Sequence, residues 1–167
     1  MTGMTGDEVR SWLDERALLD SERGFSMHTG AATFRIASPP DPGRRVHLSR
    51  TLAHFLRPDE GGLIWIDEYG MWPSSENRSI FRSVRSTFGE GRPLEAAPGQ
   101  RFGADDLEHI EALLALILLF SWGAIVVQNA GRLVIRISHD EYVDIYTSDG
   151  PMLEQLRETV RAAKFCE

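Results

Sequence analysis

Ala112-Leu113-Leu114-Ala115-Leu116-Ile117-Leu118-Leu119-Phe120 is apolar around the whole circumference of a helix. A helix without a polar face belongs inside a fold. The segment therefore reads as a buried central rod between Asp105 and Ser121. The stretch that follows, Trp122 to Thr147, reads as three short strands separated by turn residues, with Asn129-Ala130-Gly131 as the first turn and Ser138-His139-Asp140-Glu141 as the second. Leu133, Ile135 and Ile137 share one face of this meander, and Val143 and Ile145 extend it. A rod lying beneath a three-stranded ribbon defines an α+β fold.

Working outward, Thr5 and Glu8 have capping-box spacing, which predicts a first helix from Gly6 to Glu22 with Val9, Trp12, Leu13, Ala17 and Leu19 on its apolar face. Thr33-Phe34-Arg35-Ile36 alternates as a strand, and Ser38-Pro39-Pro40-Asp41-Pro42-Gly43 reads as a loop. Ser49 is placed as the cap of a short helix carrying Leu52, Phe55 and Leu56 and ended by Pro58. Leu63-Ile64-Trp65-Ile66 reads as a strand buried on both faces. A helix from Ser75 to Phe88 is expected to turn Ile80, Phe81, Val84 and Phe88 inward. The Gly- and Pro-rich span 90–103 is read as a surface loop or an edge strand at Leu94-Glu95-Ala96, with Asp105 and Glu108 capping the rod. Gly150-Pro151 opens a last helix that buries Leu153, Leu156 and Val160. No repeat or convincing linker divides residues 1–167, so one α+β domain is expected, with an antiparallel or mixed sheet covered mainly on one face by the rod and several amphipathic helices.

Composition sets the class. An apolar fraction of 42% with 26% charged residues is that of a soluble globular chain. A chain of this length buries roughly 70% of its unfolded surface and needs no staples. Cys166 is the only cysteine, so neither an internal disulfide nor a cysteine-based zinc site is available, and a reducing cytoplasmic setting is expected. The first residues lack the basic patch and apolar run of a secretory signal. Extending the rod through Ile125-Val126-Val127 falls short of the roughly 20 residues a membrane span prefers, and Glu108 and Glu111 block growth on the other side. The net charge of -7 disfavours general binding to nucleic acid or anionic lipid. Lys164 is the only lysine among 18 basic residues, a bias that points either to bidentate anion contacts or, as expected here, to the codon usage of a GC-rich bacterial genome.

Two clusters carry possible chemistry. Asp67-Glu68-Tyr69 closes the buried strand and Trp72-Pro73-Ser74-Ser75-Glu76 opens the next helix, so acids, aromatics and a helix start fall together. They form either a ligand-facing edge or an architectural corner whose acids pair with arginines. His139, with Asp140 and Glu141, sits on the second meander turn and could join Asp67, Glu68 and Glu76 in acid/base work. Sequence alone does not bring the two together. Arg78, Arg82 and Arg85 recur along one side of the intervening helix as candidate anion grips.

His28, His47, His54 and His109 have no metal-ligand spacing. His47 and His54 are seven apart, but a helix starting at Ser49 would not carry both. No phosphate loop, dinucleotide fingerprint, nucleophile elbow or usable cysteine is present, and no cofactor or metal is implied. Three readings remain. The first is a small intracellular binding protein that contacts a protein partner or itself through Tyr69, Trp72, Arg78, Arg82 and Arg85. The others are an acid/base or metal-assisted hydrolase built on Asp67, Glu68, Glu76 and His139, and a phosphate or nucleic-acid binder built on the arginine-striped helix.

Overall fold

The computed structural model describes residues 1–20, 24–25, 32–56, 58–69 and 78–165. Its elements are β1 (Thr2–Met4), α1 (Gly6–Asp14), β2 (Leu19–Asp20), β3 (Gly24–Phe25), β4 (Ala32–Ala37), α2 (Pro42–Phe55), β5 (Gly62–Glu68), α3 (Arg78–Ser86), β6 (Gly99–Phe102), α4 (Leu107–Leu119), β7 (Gly123–Gln128), β8 (Leu133–Ser138), β9 (Tyr142–Thr147) and α5 (Gly150–Ala162). Seven strands form one sheet in the order β1-β6-β5-β7-β8-β9-β4, and every adjacent pair is antiparallel. The architecture is α+β, with the meander of β7, β8 and β9 in its middle.

Alternation along the strands builds two cores. Ile64 and Ile66 of β5, Ala124 and Val126 of β7, Ile135 of β8 and Ile145 of β9 point to one face, where Leu48 and Leu52 of α2, Phe81 of α3, Ile110, Leu113, Leu114 and Ile117 of α4, and Leu156 and Val160 of α5 cover them. The intervening residues Leu63, Ile125, Val127 and Val134 point to the other face, beneath Val9, Trp12 and Leu13 of α1. That is why β5 and β7 read as continuous apolar runs. Gly99 makes the α1 contact possible, since a Cβ there would lie 2.2 Å from Val9 Cγ2.

Helix α4 is buried on one side only. Leu113, Leu114, Ile117 and Leu118 are sealed against the sheet, while Ala112, Ala115, Leu116, Leu119 and Phe120 are half-buried in the helical layer between α2 and α3. No helix of the described residues is long and apolar enough to cross a membrane.

Several local expectations are corrected. Helix α1 ends at Asp14: Leu18 N–H donates to Leu13 O and Ala17 N–H to Asp14 O, with Ala17 exposed in the left-handed region at φ 53° and Leu18 buried in its place. Leu19 belongs to β2. Helix α2 starts a full two turns before Ser49, because Asp41 caps it by accepting from Arg44 N–H at 2.9 Å and Pro42 supplies a preset first residue. Ser49 is instead buried within the helix and donates to Val46 O. Ile80 faces outward at 46% exposure, and Arg85 takes the inward position.

Leu94-Glu95-Ala96 is a turn; the strand lies later, in β6, and is paired on both sides. Ahead of α4, neither Asp105 nor Glu108 caps: Asp106 accepts from Gly103 N–H at 2.9 Å around a short 3-10 turn. The start of the Ser75 helix lies outside the described residues.

The sidedness of α4 is directly measurable. Leu114→Ala is expected to cost about 3 kcal/mol in a denaturant melt, and Leu116→Ala clearly less, because only the first would leave a sealed cavity.

Candidate functional site

Strand β5 is regular to Ile66, where its register against β7 shifts before Glu68 pairs with Gly123. This irregularity at the strand end turns Glu68 toward the neighbouring β8–β9 turn. The Glu68 side chain lies across Gly123, where a Cβ would come within 2.6 Å of Oε2 and 2.7 Å of Cβ. Glycine leaves the path open. At the end of that path Glu68 Oε2 meets His139 Nδ1 at 2.7 Å, and His139 Nε2 faces Asp140 Oδ1 at 3.3 Å. The structure thus joins two clusters that are 71 residues apart in the chain.

The turn carrying His139 is held from its other end as well. Glu141 has φ 63° and its N–H donates to Ser138 O, the left-handed third position of a tight hairpin where glycine is usual. Its carboxylate accepts from Arg45 Nη2 at 2.8 Å. Arg45 is buried, and it also donates to Pro39 O at 2.7 Å and to Leu118 O near the end of α4 at 2.8 Å. One guanidinium therefore ties α2, α4 and the β8–β9 turn together.

The Glu68 carboxylate bonded to Nδ1 holds the His139 imidazolium above its usual range, with the Asp140 and Glu68 charges adding to the effect and burial and Arg136 opposing it. Burial pushes the Asp67 carboxyl up, the adjacent Glu68 charge adds to this, and Arg136 works against it. His139 is therefore a cation-favouring imidazole bonded to one carboxylate, and Asp67, next to that carboxylate in the chain, is a carboxyl reluctant to ionise. Such a pair can pass a proton at His139 Nε2, which faces the exposed Asp140.

The remaining expected residues are distributed as follows. Tyr69 is half-buried beneath the Arg78 guanidinium, 5.2 Å from its ring centre, and Arg78 also pairs with Glu95. Arg82 is exposed. Arg85 is not a surface grip. It is 1% exposed, donates to Ala97 O at 2.8 Å and Arg92 O at 3.2 Å, and stands 3.9 Å from Glu90. Trp72 and Glu76 lie outside the described residues. Sequence reading missed Gly123 and the Arg45–Glu141 tie. A glycine at the head of an apolar strand was the one local signal, because it marks close approach of another group.

Compared with known proteins, the chain matches no family model, no curated protein and no solved structure.

The Glu68–His139 pair has a pH signature. Its folded-state imidazole value lies above the ordinary 6.5, so its stabilisation is complete below that pH and is lost as pH rises through the folded value. Denaturant midpoints taken from about pH 5 to about pH 9 are expected to fall across this window in the parent and to flatten there in His139→Asn. Gly123→Ala is expected to push Glu68 aside and return the His139 midpoint, followed by NMR, toward 6.5.

Proposed function

We propose that the protein is an intracellular binding module that engages a protein partner, or a second copy of itself, through the surface running from Asp67 to Arg85. One observation carries this reading. Ile80 is the one large apolar side chain that stands exposed among the described residues, and it lies on α3, a helix that also exposes Arg78 and Arg82 on its other flank. Tyr69 lies under Arg78. A helix that exposes an apolar side chain together with arginine and aromatic groups has the composition of an interface element. Trp72, the other aromatic candidate, precedes this helix in the chain and lies outside the described residues.

Arg78 is bound to Glu95 and Arg85 is internal, so α3 does not present a stripe of free cations. That arrangement favours a protein partner over a phosphate backbone. Ile80→Glu and Arg82→Glu are expected to weaken association by about tenfold or more while leaving the circular dichroism spectrum unchanged. Sedimentation of the purified chain reads self-association, and pull-down from its own cell extract reads a partner. If both variants assemble like the parent, the surface is elsewhere.

A second reading, an acid/base hydrolase, is favoured by the 2.7 Å approach of Glu68 and His139. It predicts turnover of activated ester or phosphodiester probes that falls about a hundredfold in His139→Gln. Equal rates in the parent, His139→Gln and Glu68→Gln would leave the pair as a purely structural clamp.

A further inference from the structure

The early start of α2 has a consequence on the opposite side of the helix from its core. His47, Arg50, Thr51, His54 and Phe55 are spaced at i, i+3, i+4, i+7 and i+8, so they share one face. With Glu111 of α4 and with Gln155 and Thr159 of α5 they line one open cleft of about 530 Å³. The chemistry of its walls is unusual for this protein.

Several guanidinium groups elsewhere are engaged at close range: Arg35 with Asp144, Arg45 with Glu141, Arg92 with Glu90, Arg132 with Glu60. In the cleft, Arg50 has only Glu111, at 3.7 Å and without a hydrogen bond. The ring of His47 meets Phe165 edge-on at 5.2 Å, which leaves its nitrogens unused, and neither His54 nor the Gln155 amide has a hydrogen-bond partner among the described residues. Thr51 and Thr159 direct their hydroxyl protons to the carbonyls of His47 and Gln155. The unsatisfied capacity of the cleft is thus mostly donor capacity, contributed by one guanidinium, two imidazoles and one amide, with half-buried Phe55 as an apolar wall. Glu111 is the only carboxylate in the lining. Arg50 and Glu111 balance, so the lining escapes the acidic excess of a chain of net charge -7.

We propose that this cleft is a binding site for a small anionic molecule, one that presents a phosphoryl or carboxylate group to Arg50, His47 and His54 and lays an apolar part against Phe55. The guanidinium supplies charge and a planar fork of donors, the imidazoles flank it from the same helix face, and the α5 amide closes the far bank. The site is separate from the Asp67–Arg85 surface and does not depend on it. Its occupant is recognised by an oxyanion joined to an apolar body, the two features the walls complement.

Phenyl phosphate, benzoate and inorganic phosphate, titrated separately into the full chain while the histidine side-chain signals are followed by NMR, test this directly. The expected result is a saturable shift of His47 and His54 together with phenyl phosphate or benzoate, stronger than with inorganic phosphate. The tighter of the two aromatic probes identifies the anion. Arg50→Gln is expected to weaken that binding by about tenfold, with the His139 signal unmoved. Absence of saturation up to about 20 mM, which corresponds to less than about 2.5 kcal/mol of binding, would overturn the proposal. So would shifts equal in the parent, Arg50→Gln and His54→Gln. Both substituted side chains are exposed, and circular dichroism verifies that the variants remain folded.

Discussion

The seal between α4 and the inner face of the sheet is the contact on which the other elements depend. Leu113, Leu114, Ile117 and Leu118 lie against the sheet face that carries Ala124, Val126, Ile135 and Ile145. Burial on this scale contributes roughly 1.5–3 kcal/mol for each large apolar side chain removed from water, which is more than any single polar contact in the molecule can offer. The order of the layer follows from it. Helices α2 and α3 flank the rod and α5 closes the core over β4 and β9. The second, smaller core under α1 forms on the reverse of strands already held flat by the first.

Packing of the rod also aligns the polar end of the sheet. Because α4 stops where Ser121 turns into the left-handed region, Leu118 O is left near its free end, and the buried Arg45 of α2 takes it up. The same guanidinium holds Glu141, which keeps the β8–β9 turn in a conformation that a residue with a Cβ adopts at a cost of about 1 kcal/mol. Held in this way, the turn delivers His139 to Glu68. The Glu68–His139 contact is therefore the last link of a chain of packing, and its 2.7 Å length reflects how tightly that chain is held.

The two polar faces differ in how they satisfy their groups. Around His139 each ring nitrogen has a carboxylate, so the cluster is internally balanced and responds mainly to pH. Among the described residues, the donors of His47, His54 and Gln155 on the outer face of α2 have no internal acceptors, and Arg50 has only a distant one. Buried or clustered polar groups either find partners within the chain or are available to partners outside it. This difference separates a self-contained clamp from a surface suited to a ligand.

Much of the fold was legible in the residues themselves. The all-apolar 112–120 run, the alternation in 133–145, the turn at Asn129-Ala130-Gly131 and the Gly150-Pro151 start are local signals, and each produced the element it indicates because periodicity and turn chemistry act over only a few residues. What failed locally failed for an identifiable reason. Ser49 competed with Asp41 as a cap, Ala17 hid a helix stop that is normally written with glycine, and β6 is too short and polar to show a pattern until β1 and β5 pair with it. Of the candidate site, the chemical types were visible at Glu68 and His139, but not their meeting. Residues far apart in the chain carry no mark of each other. Which carboxylate reaches which imidazole, and whether Arg85 faces water or the interior, was decided only when the sheet register and the helix seats were set, because those contacts depend on long-range packing.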